Sequence, residues 1–395
     1  MRRISIKMPS KFVTAKRWFD PLSRDERRRK EKMLLRESAG GNLEAVKNLV
    51  EDGVSVRAKD EDGETALISA VDSDSVEIVK FLLEHGAKVN HRDRDGVTPL
   101  LCVKSGSKSA EILIDHGANI NHTDKDGMTL LKSAARDGET ELARLLIKEG
   151  ADLNKRKGFG WFTLFISLFP GFGQNFNKAE RTIDKAFDDA PDVEKRGRWT
   201  ALIWAIRMNH ADIARLLIEN RALVNIKYGF YRWTALYWAA RQGQTEVVDL
   251  LLKHGANVNA ALRREKYTPL TEAAKRGYTD VVKILVENGA RVDVRTKREY
   301  TPLMYAVEEN HTDTARILLE HGADVSVRFI DGMTLLHKAA ENGNISLMKL
   351  LLDYGADTGA VDAHGNTVLS LAISHAPAHD KTEIKNMLQE RGGGK

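Results

Sequence analysis

Apolar positions in this chain come in paired clusters, each with helical spacing. The stretch from Tyr267 to Asn288 is representative: Y-T-P-L-T-E-A-A-K-R-G-Y-T-D-V-V-K-I-L-V-E-N, followed by Gly289-Ala290. Leu270, Ala273 and Ala274 share one face of a short first helix. Val281, Val282, Ile284, Leu285 and Val286 make a second, more apolar helix. Thr268 reads as the N-cap of the first helix, its hydroxyl taking a backbone N–H. Pro269 at the first helical position lacks an N–H that would be orphaned anyway. Gly277 breaks the first helix, and Gly289 suits a left-handed cap on the second. Neither helix is stable alone at this length, so stacking against further copies must supply the core.

Those copies are present. A Thr-x-Leu beat falls at Thr65, Thr98, Thr129, Thr163 (with Phe165 in the Leu place), Thr200, Thr234, Thr268, Thr301, Thr334 and Thr367. The intervals are 33, 31, 34, 37, 34, 34, 33, 33 and 33 residues. A period near 33 means one supersecondary unit stacked many times. Thr-Pro-Leu recurs at Thr98, Thr268 and Thr301, and a Leu-Leu…Gly-Ala ending at Leu82…Ala87, Leu251…Ala256, Leu318…Ala323 and Leu351…Ala356. On these motifs the chain resembles the ankyrin repeat over roughly residues 25–390. The resemblance implies an all-α solenoid of about eleven helix-turn-helix units with projecting β-hairpin finger loops. The family's usual His after Thr-x-Leu survives only at His337. We divide the chain into a basic N-terminal arm, 1–24; N-terminal repeats and their cap, 25–154; a degenerate aromatic-rich unit with an insertion, 155–199; C-terminal repeats, 200–366; and a capping unit and tail, 367–395.

Charge refines this picture. The net charge is +5, but residues 1–36 alone hold 13 Lys/Arg against 4 Asp/Glu. The remainder is therefore slightly acidic, at −4. Basic arms are usually solvated tails, or bind nucleic acid, anionic lipid or an acidic partner. Ile4, Ile6, Met8, Phe12, Val13, Trp18 and Phe19 are too apolar for a pure tail, so part of this arm is expected to cover the first repeat. The absence of acids from the first nineteen residues also leaves an organelle-targeting peptide open. The single Cys102 excludes an intramolecular disulfide and fits a reducing compartment. With no secretory signal and no membrane-spanning stretch, the expected location is cytoplasmic.

The fifth unit breaks the pattern. After Gly150-Ala151 the chain reads K-R-K-G-F-G-W-F-T-L-F-I-S-L-F-P-G-F-G-Q-N-F, and Asp188-Asp189-Ala190-Pro191-Asp192 stands where the Gly-Ala cap belongs. Three readings are open: a degenerate repeat that still stacks, an exposed aromatic knob of Phe159, Trp161, Phe162 and Phe172 for a partner, or a loop dipping into a membrane interface. The unit could also act as a hinge.

The fingers carry the sharpest functional signal. Asp62-Gly63, Asp95-Gly96, Asp126-Gly127 and Asp331-Gly332 are ordinary turn chemistry. Between them the fingers change to Lys155-Arg156-Lys157…Trp161-Phe162, Lys195-Arg196-Gly197-Arg198-Trp199, Lys227-Tyr228-Gly229-Phe230-Tyr231-Arg232-Trp233, Arg263-Arg264-Glu265-Lys266-Tyr267 and Arg295-Thr296-Lys297-Arg298-Glu299-Tyr300. Each has two or three cations and an aromatic residue before its Thr. Stacking would place them side by side as a ridge suited to an acidic protein surface, or to nucleic acid, with stacked bases and neutralised phosphates. Equally, the aromatics could pack on their neighbours with the cations lying across them.

In ankyrin proteins the second residue after Thr-x-Leu usually faces the concave groove. Here Trp204, Trp238 and Tyr305 hold that place, and Arg207, Arg241 and Arg276 follow within a turn. They either line a partner site, being hot-spot residue types, or stack between repeats as core.

No catalytic constellation emerges. Several His recur before Gly at one structural position (His85, His116, His254, His321), where they can bond helix-terminal carbonyls. Gly158–Gly160 and Gly171–Gly173 lack a phosphate-loop context. The expectation is a non-enzymatic scaffold or regulator without cofactor or metal. It would bind an acidic or acidic-apolar protein partner through the middle fingers and groove; the alternative is a binder of nucleic acid or an anionic lipid surface.

Overall fold

The computed structural model describes residues 23–104, 108–156, 199–228, 232–263, 265–375 and 380–392, comprising nineteen α-helices and one 3-10 turn. The basic arm's apolar residues and most of unit five, including its aromatic knob, lie outside the described residues. Packing divides the chain into two compact units, Met1–Leu130 and Leu131–Lys395.

In the first, α1 (Arg24–Ala39) and α2 (Leu43–Glu51) form the unit that has no Thr-x-Leu, and Ser23 caps α1 by accepting from the Glu26 N–H at 3.2 Å. They pack on α3 (Ala66–Asp72) and α4 (Val76–Glu84) respectively. The next first helix is only a 3-10 turn, Pro99–Cys102, before α5 (Lys108–Asp115). Sequence accounts for this: the interval to Thr129 is 31 residues, and Val103 is already extended, at ψ 131°.

The second unit begins with α6 (Leu130–Asp137) and α7 (Thr140–Lys148). There follow α8 (Ala201–Arg207), α9 (Ala211–Glu219), α10 (Ala235–Arg241), α11 (Thr245–Lys253), α12 (Pro269–Arg276) and α13 (Thr279–Glu287). The chain continues through α14 (Pro302–Glu308), α15 (Thr312–Glu320), α16 (Leu335–Glu341), α17 (Ile345–Asp353), α18 (Val368–His375) and α19 (Asp380–Gly392). From α8 on, each first helix packs on the next first helix and each second helix on the next second helix, giving two layers with the core between them. Leu202, Leu236, Leu270, Leu303 and Leu335, each one or two residues after its Thr, are wholly buried, as are Leu217, Leu251, Leu285 and Leu318 from the opposite layer. The capping expected of the repeated Thr is present: Thr234, Thr268, Thr301 and Thr334 each accept from the N–H three residues on. His85, His116, His254 and His321 each bring Nδ1 to 2.7–2.9 Å from the carbonyl oxygen one turn back, closing the ends of second helices.

Units four and six meet directly. The Leu223 N–H donates to Asn154 Oδ1 at 2.9 Å across 69 residues. The same bond joins consecutive units elsewhere, Asn257 to Asn225 and Arg291 to Asn259, across 32 residues. His210 Nε2 lies 3.1 Å from the Arg136 carbonyl oxygen, repeating the 3.2 Å approach of His311 to Lys275 in adjacent units. Accordingly α7 rests directly on α9. The second helices of units four and six are neighbours, and the sequence between them lacks the Gly-Ala cap that closes a normal second helix.

The β-hairpins expected at the fingers reduce, among the described residues, to single antiparallel bridges, such as Tyr228 with Trp233 and Arg328 with Thr334.

Candidate partner interface

Each finger is a turn closed by a backbone bond at its base. In the first unit the base residue is Asp: Asp60 Oδ1 accepts from the N–H groups of Asp62 and Glu64, and Asp93 Oδ1 from those of Asp95 and Val97, all at 2.8–2.9 Å. Two tip cations of these fingers, and one on α1, pair with finger carboxylates. Arg94 pairs with Asp62 at 3.1 Å, Lys125 with Asp95 at 2.8 Å and Arg28 with Glu61 at 3.2 Å. Asp62 and Asp95 of Asp-Gly thus each neutralise a cation of the next finger.

In the second unit the bases become Tyr228, Leu262 and Thr296, closed by N–H bonds to the carbonyls of Trp233, Tyr267 and Tyr300 at 2.8–3.0 Å. Tyr228 shares a 2.7 Å hydroxyl bond with Thr200, pinning this finger to the cap of α8. Burial pushes the Tyr228 phenol up to about 12, partly opposed by its Thr200 bond and by the nearby Arg156 guanidinium. Adjacent fingers are joined through backbone: the Lys297 N–H donates to the Glu265 carbonyl at 3.0 Å.

The Asp of Asp-Gly is gone from these three turns, and with it the local neutralisation. Lys227, Arg232, Arg263, Lys266, Arg295, Lys297 and Arg298 are all exposed. Arg295 reaches Glu299 at 3.8 Å within its own finger. Lys227, Arg232, Lys266, Lys297 and Arg298 have no ion-pair partner among the described residues. On the finger before them, Arg156 is exposed and Lys155 half-buried. Lys157, Trp161, Arg198, Tyr231 and Arg264 lie outside the described residues.

The finger aromatics turn inward. Trp199 is buried against Trp204, centroids 4.8 Å apart, and half-buried Trp233 lies 5.6 Å from Trp238. Tyr267 and Tyr300 flank Tyr305 at 5.5 and 5.1 Å, and Tyr300 also meets Phe329 edge-on at 5.3 Å. Tyr267 Oη and Tyr305 Oη are 2.6 Å apart. Burial raises the phenol pKa of both Tyr267 and Tyr300, so these rings stay neutral near pH 7.

The residues assigned to the groove are largely internal. Trp204 is 0 % exposed, Trp238 5 % and Tyr305 3 %, so their rings belong to the packing between first helices rather than to an open surface. The physical reason is that each indole is covered by the Trp of its own finger, Trp199 over Trp204 and Trp233 over Trp238, and Trp238 also by Arg207 from the preceding first helix. Arg207 lies between Trp199 and Trp238, at 4.7 and 4.1 Å from the ring centroids, as a cation–π bridge. Arg276 Nε donates to Glu272 at 2.7 Å, Arg241 lies 3.5 Å from the same carboxylate, and the Tyr237 hydroxyl donates to it at 3.2 Å. Two groove arginines therefore already hold a carboxylate of the chain's own. Sequence reading missed the roles of Tyr237 and Glu272; the usable signal was the i, i+4 spacing of Glu272 and Arg276.

Among the described residues no three His, Cys, Asp or Glu side chains gather as a metal site. Burial, reinforced by Asp72, pushes the Cys102 thiol up to about 12, the opposite of what activates a nucleophile.

Two family models match the chain. One, described as ankyrin repeats (3 copies), covers residues 23–93, 89–157, 175–262 and 260–329. The other, described as ankyrin repeats (many copies), covers residues 330–372. The stretch 158–174 falls between matches, at the place where the second helices of units four and six abut. Comparison with curated proteins returns no match.

Proposed function

The chain belongs to the ankyrin-repeat family, whose members generally mediate protein–protein interaction, and we propose that it is a scaffold or regulator whose finger row in the second unit binds an acidic protein surface. The carrying observation is the contrast between fingers. At the Asp-Gly turns the tip cations Arg94 and Lys125 pair with the preceding finger's Asp; from Lys227 to Arg298 most finger cations have no such partner. Unpaired, exposed cations on rigid turns steer an acidic partner and set its register. Groove residues Arg207, Arg241 and Arg276 support the ridge from beneath, since their charges already face rings or Glu272.

Nucleic acid is the weaker reading on two counts. A single strand would want free aromatic faces for its bases, and Trp233, Tyr267 and Tyr300 are turned toward Trp238 and Tyr305. A phosphate backbone carries charge at every step, about 3.4 Å per strand, whereas Glu265 and Glu299 interrupt the ridge. Family members are typically binding scaffolds without enzymatic activity, and we assign no reaction. No helix among the described residues is long and apolar enough to cross a membrane; we propose a cytoplasmic setting on the lone Cys102.

The test is capture of binding partners from cell extract, with and without nuclease, at 50 and 300 mM salt. A protein partner that resists nuclease and weakens moderately with salt supports the reading. Partners that vanish with nuclease overturn it.

A further inference from the structure

Among the described residues, seven non-glycine residues have positive φ: Asp74, Asn209, Arg221, Arg232, Lys266, Glu299 and Asn310. Asn and Asp tolerate the left-handed region through local hydrogen bonding; Arg, Lys and Glu have no such compensation. Three of these four sit at one repeated place, two residues before the Thr of a finger: Arg232 at φ 64°, Lys266 at 55° and Glu299 at 62°. In every other described finger whose turn is complete the same place is glycine: Gly63, Gly96, Gly127, Gly332 and Gly365, at φ 77–84°. The turn thus demands a left-handed residue, and glycine supplies it without a Cβ clash. The basic fingers carry instead a long charged side chain in strained backbone. Strain of this kind persists where surrounding structure over-determines it, and it gathers at sites of function. Here the closing bonds of Tyr228 with Trp233 and of Leu262 with Tyr267 hold the turns shut.

Resting on the ridge reading above, we infer that Arg232 and Lys266 are specificity residues, held at the closing position of their finger turns at the expense of fold stability to grip an extended acidic segment of a protein partner. The strained residue stands at the end of its turn rather than at the tip: the Glu299 N–H donates to the Thr296 carbonyl at 3.0 Å, as the Gly63 N–H does to that of Asp60 at 3.3 Å. Neighbouring fingers are one helix layer apart, about 8–10 Å. A chain in polyproline-II conformation advances about 9.3 Å in three residues. The matching partner is therefore an extended segment with a carboxylate at every third residue, placing one acid at each finger. Glu299 is the internal control: it shares the strained position, but its carboxylate faces Arg295 at 3.8 Å within its own finger.

The experiment uses the full chain and a fluorescein-labelled peptide of four Glu-Pro-Ser repeats, with a Gln-Pro-Ser peptide and a thymidine 20-mer as comparison probes. Arg232→Gly with Lys266→Gly should raise the thermal midpoint by about 2–4 °C. It should also weaken binding of the acidic peptide by about 3- to 10-fold at 50 mM salt. Glu299→Gly should raise the midpoint without weakening binding. A double variant that is no more stable than wild type refutes the strain argument. One that is more stable yet binds as tightly refutes the recognition role alone and leaves the ridge reading standing. Failure of the wild type to prefer the Glu peptide over the Gln peptide, or a preference for the thymidine 20-mer, sinks both.

Discussion

Glu272 gives the sharpest stability test of how the inner face is built. Its side chain is 5 % exposed and serves three donors: Arg276 at 2.7 Å, Arg241 at 3.5 Å and the Tyr237 hydroxyl at 3.2 Å. Glu272→Ala removes one charge-assisted bond of about 1.5–3 kcal/mol and leaves the Tyr237 O–H without its acceptor, at about 1–2 kcal/mol, although Arg241 still approaches its oxygen at 3.5 Å. The Arg241 contact is too long to add more than a fraction of 1 kcal/mol. Against this stands the released cost of keeping a carboxylate out of water, which is several kcal/mol for a buried ion but is offset while its partners remain. Arg241 and Arg276 are 34 % and 39 % exposed and rehydrate when freed, so the full 3–5 kcal/mol of a stranded buried charge does not apply. The expected loss is about 2–3 kcal/mol in urea unfolding. Arg276→Ala in the Glu272→Ala background should cost at least about 1 kcal/mol less than it does alone. A loss below about 1 kcal/mol for Glu272→Ala, or additive losses in the cycle, would show that the carboxylate is not the hub of this contact.

Leu285→Ala or Leu318→Ala should cost about 2–5 kcal/mol, because both are wholly buried between layers; a change under about 1 kcal/mol in urea unfolding contradicts the layer assignment. Asn154→Ala should accelerate hydrogen exchange at the Leu223 amide, the bond that joins units four and six, and unchanged protection there would argue against their direct stacking. The folded-state pKa of Tyr228, Tyr237, Tyr267 and Tyr300 is raised above the ordinary value of 10.0, first by burial in each case. Their contribution to stability is therefore complete below pH 10.0 and is lost as pH rises through the folded values, because the unfolded chain gives up these protons first. Phenolate absorbance from the buried rings should emerge together with loss of helical CD above pH 10.0; phenolate formed with the helices intact would contradict it.

The fold was legible because its signals repeat. Thr before the first helix, Leu two residues later and Gly-Ala after the second helix each act through local geometry, so one unit read correctly serves for the rest. The shortened turn at Pro99–Cys102 was also written in the chain, as the 31-residue interval. What could not be read was side-chain direction. Trp204 and Trp238 occupy a position that usually faces the groove, yet each is buried against its own finger's Trp, and tertiary packing decides which way an indole goes. The same holds for Arg241 and Arg276, which are indistinguishable in sequence from free groove cations until Glu272 is seen between them. The contact between units four and six was hidden for a different reason: the period cannot reveal that Asn154 bonds across 69 residues to unit six. The finger cations were plain in the sequence, whereas the left-handed backbone beneath Arg232 and Lys266 was not. Loss of glycine from Asp-Gly was its only trace.

The account's central claim is that the unpaired finger cations are the docking surface. It is tested most directly by affinity capture from cell extract with wild type beside a variant carrying Lys227→Glu, Lys266→Glu, Lys297→Glu and Arg298→Glu, each treated with nuclease. All four residues are exposed, so helical CD and the unfolding midpoint should be nearly unchanged. The account predicts a nuclease-resistant protein partner recovered by wild type and lost by the variant. Recovery of the same partner by a folded variant would contradict it.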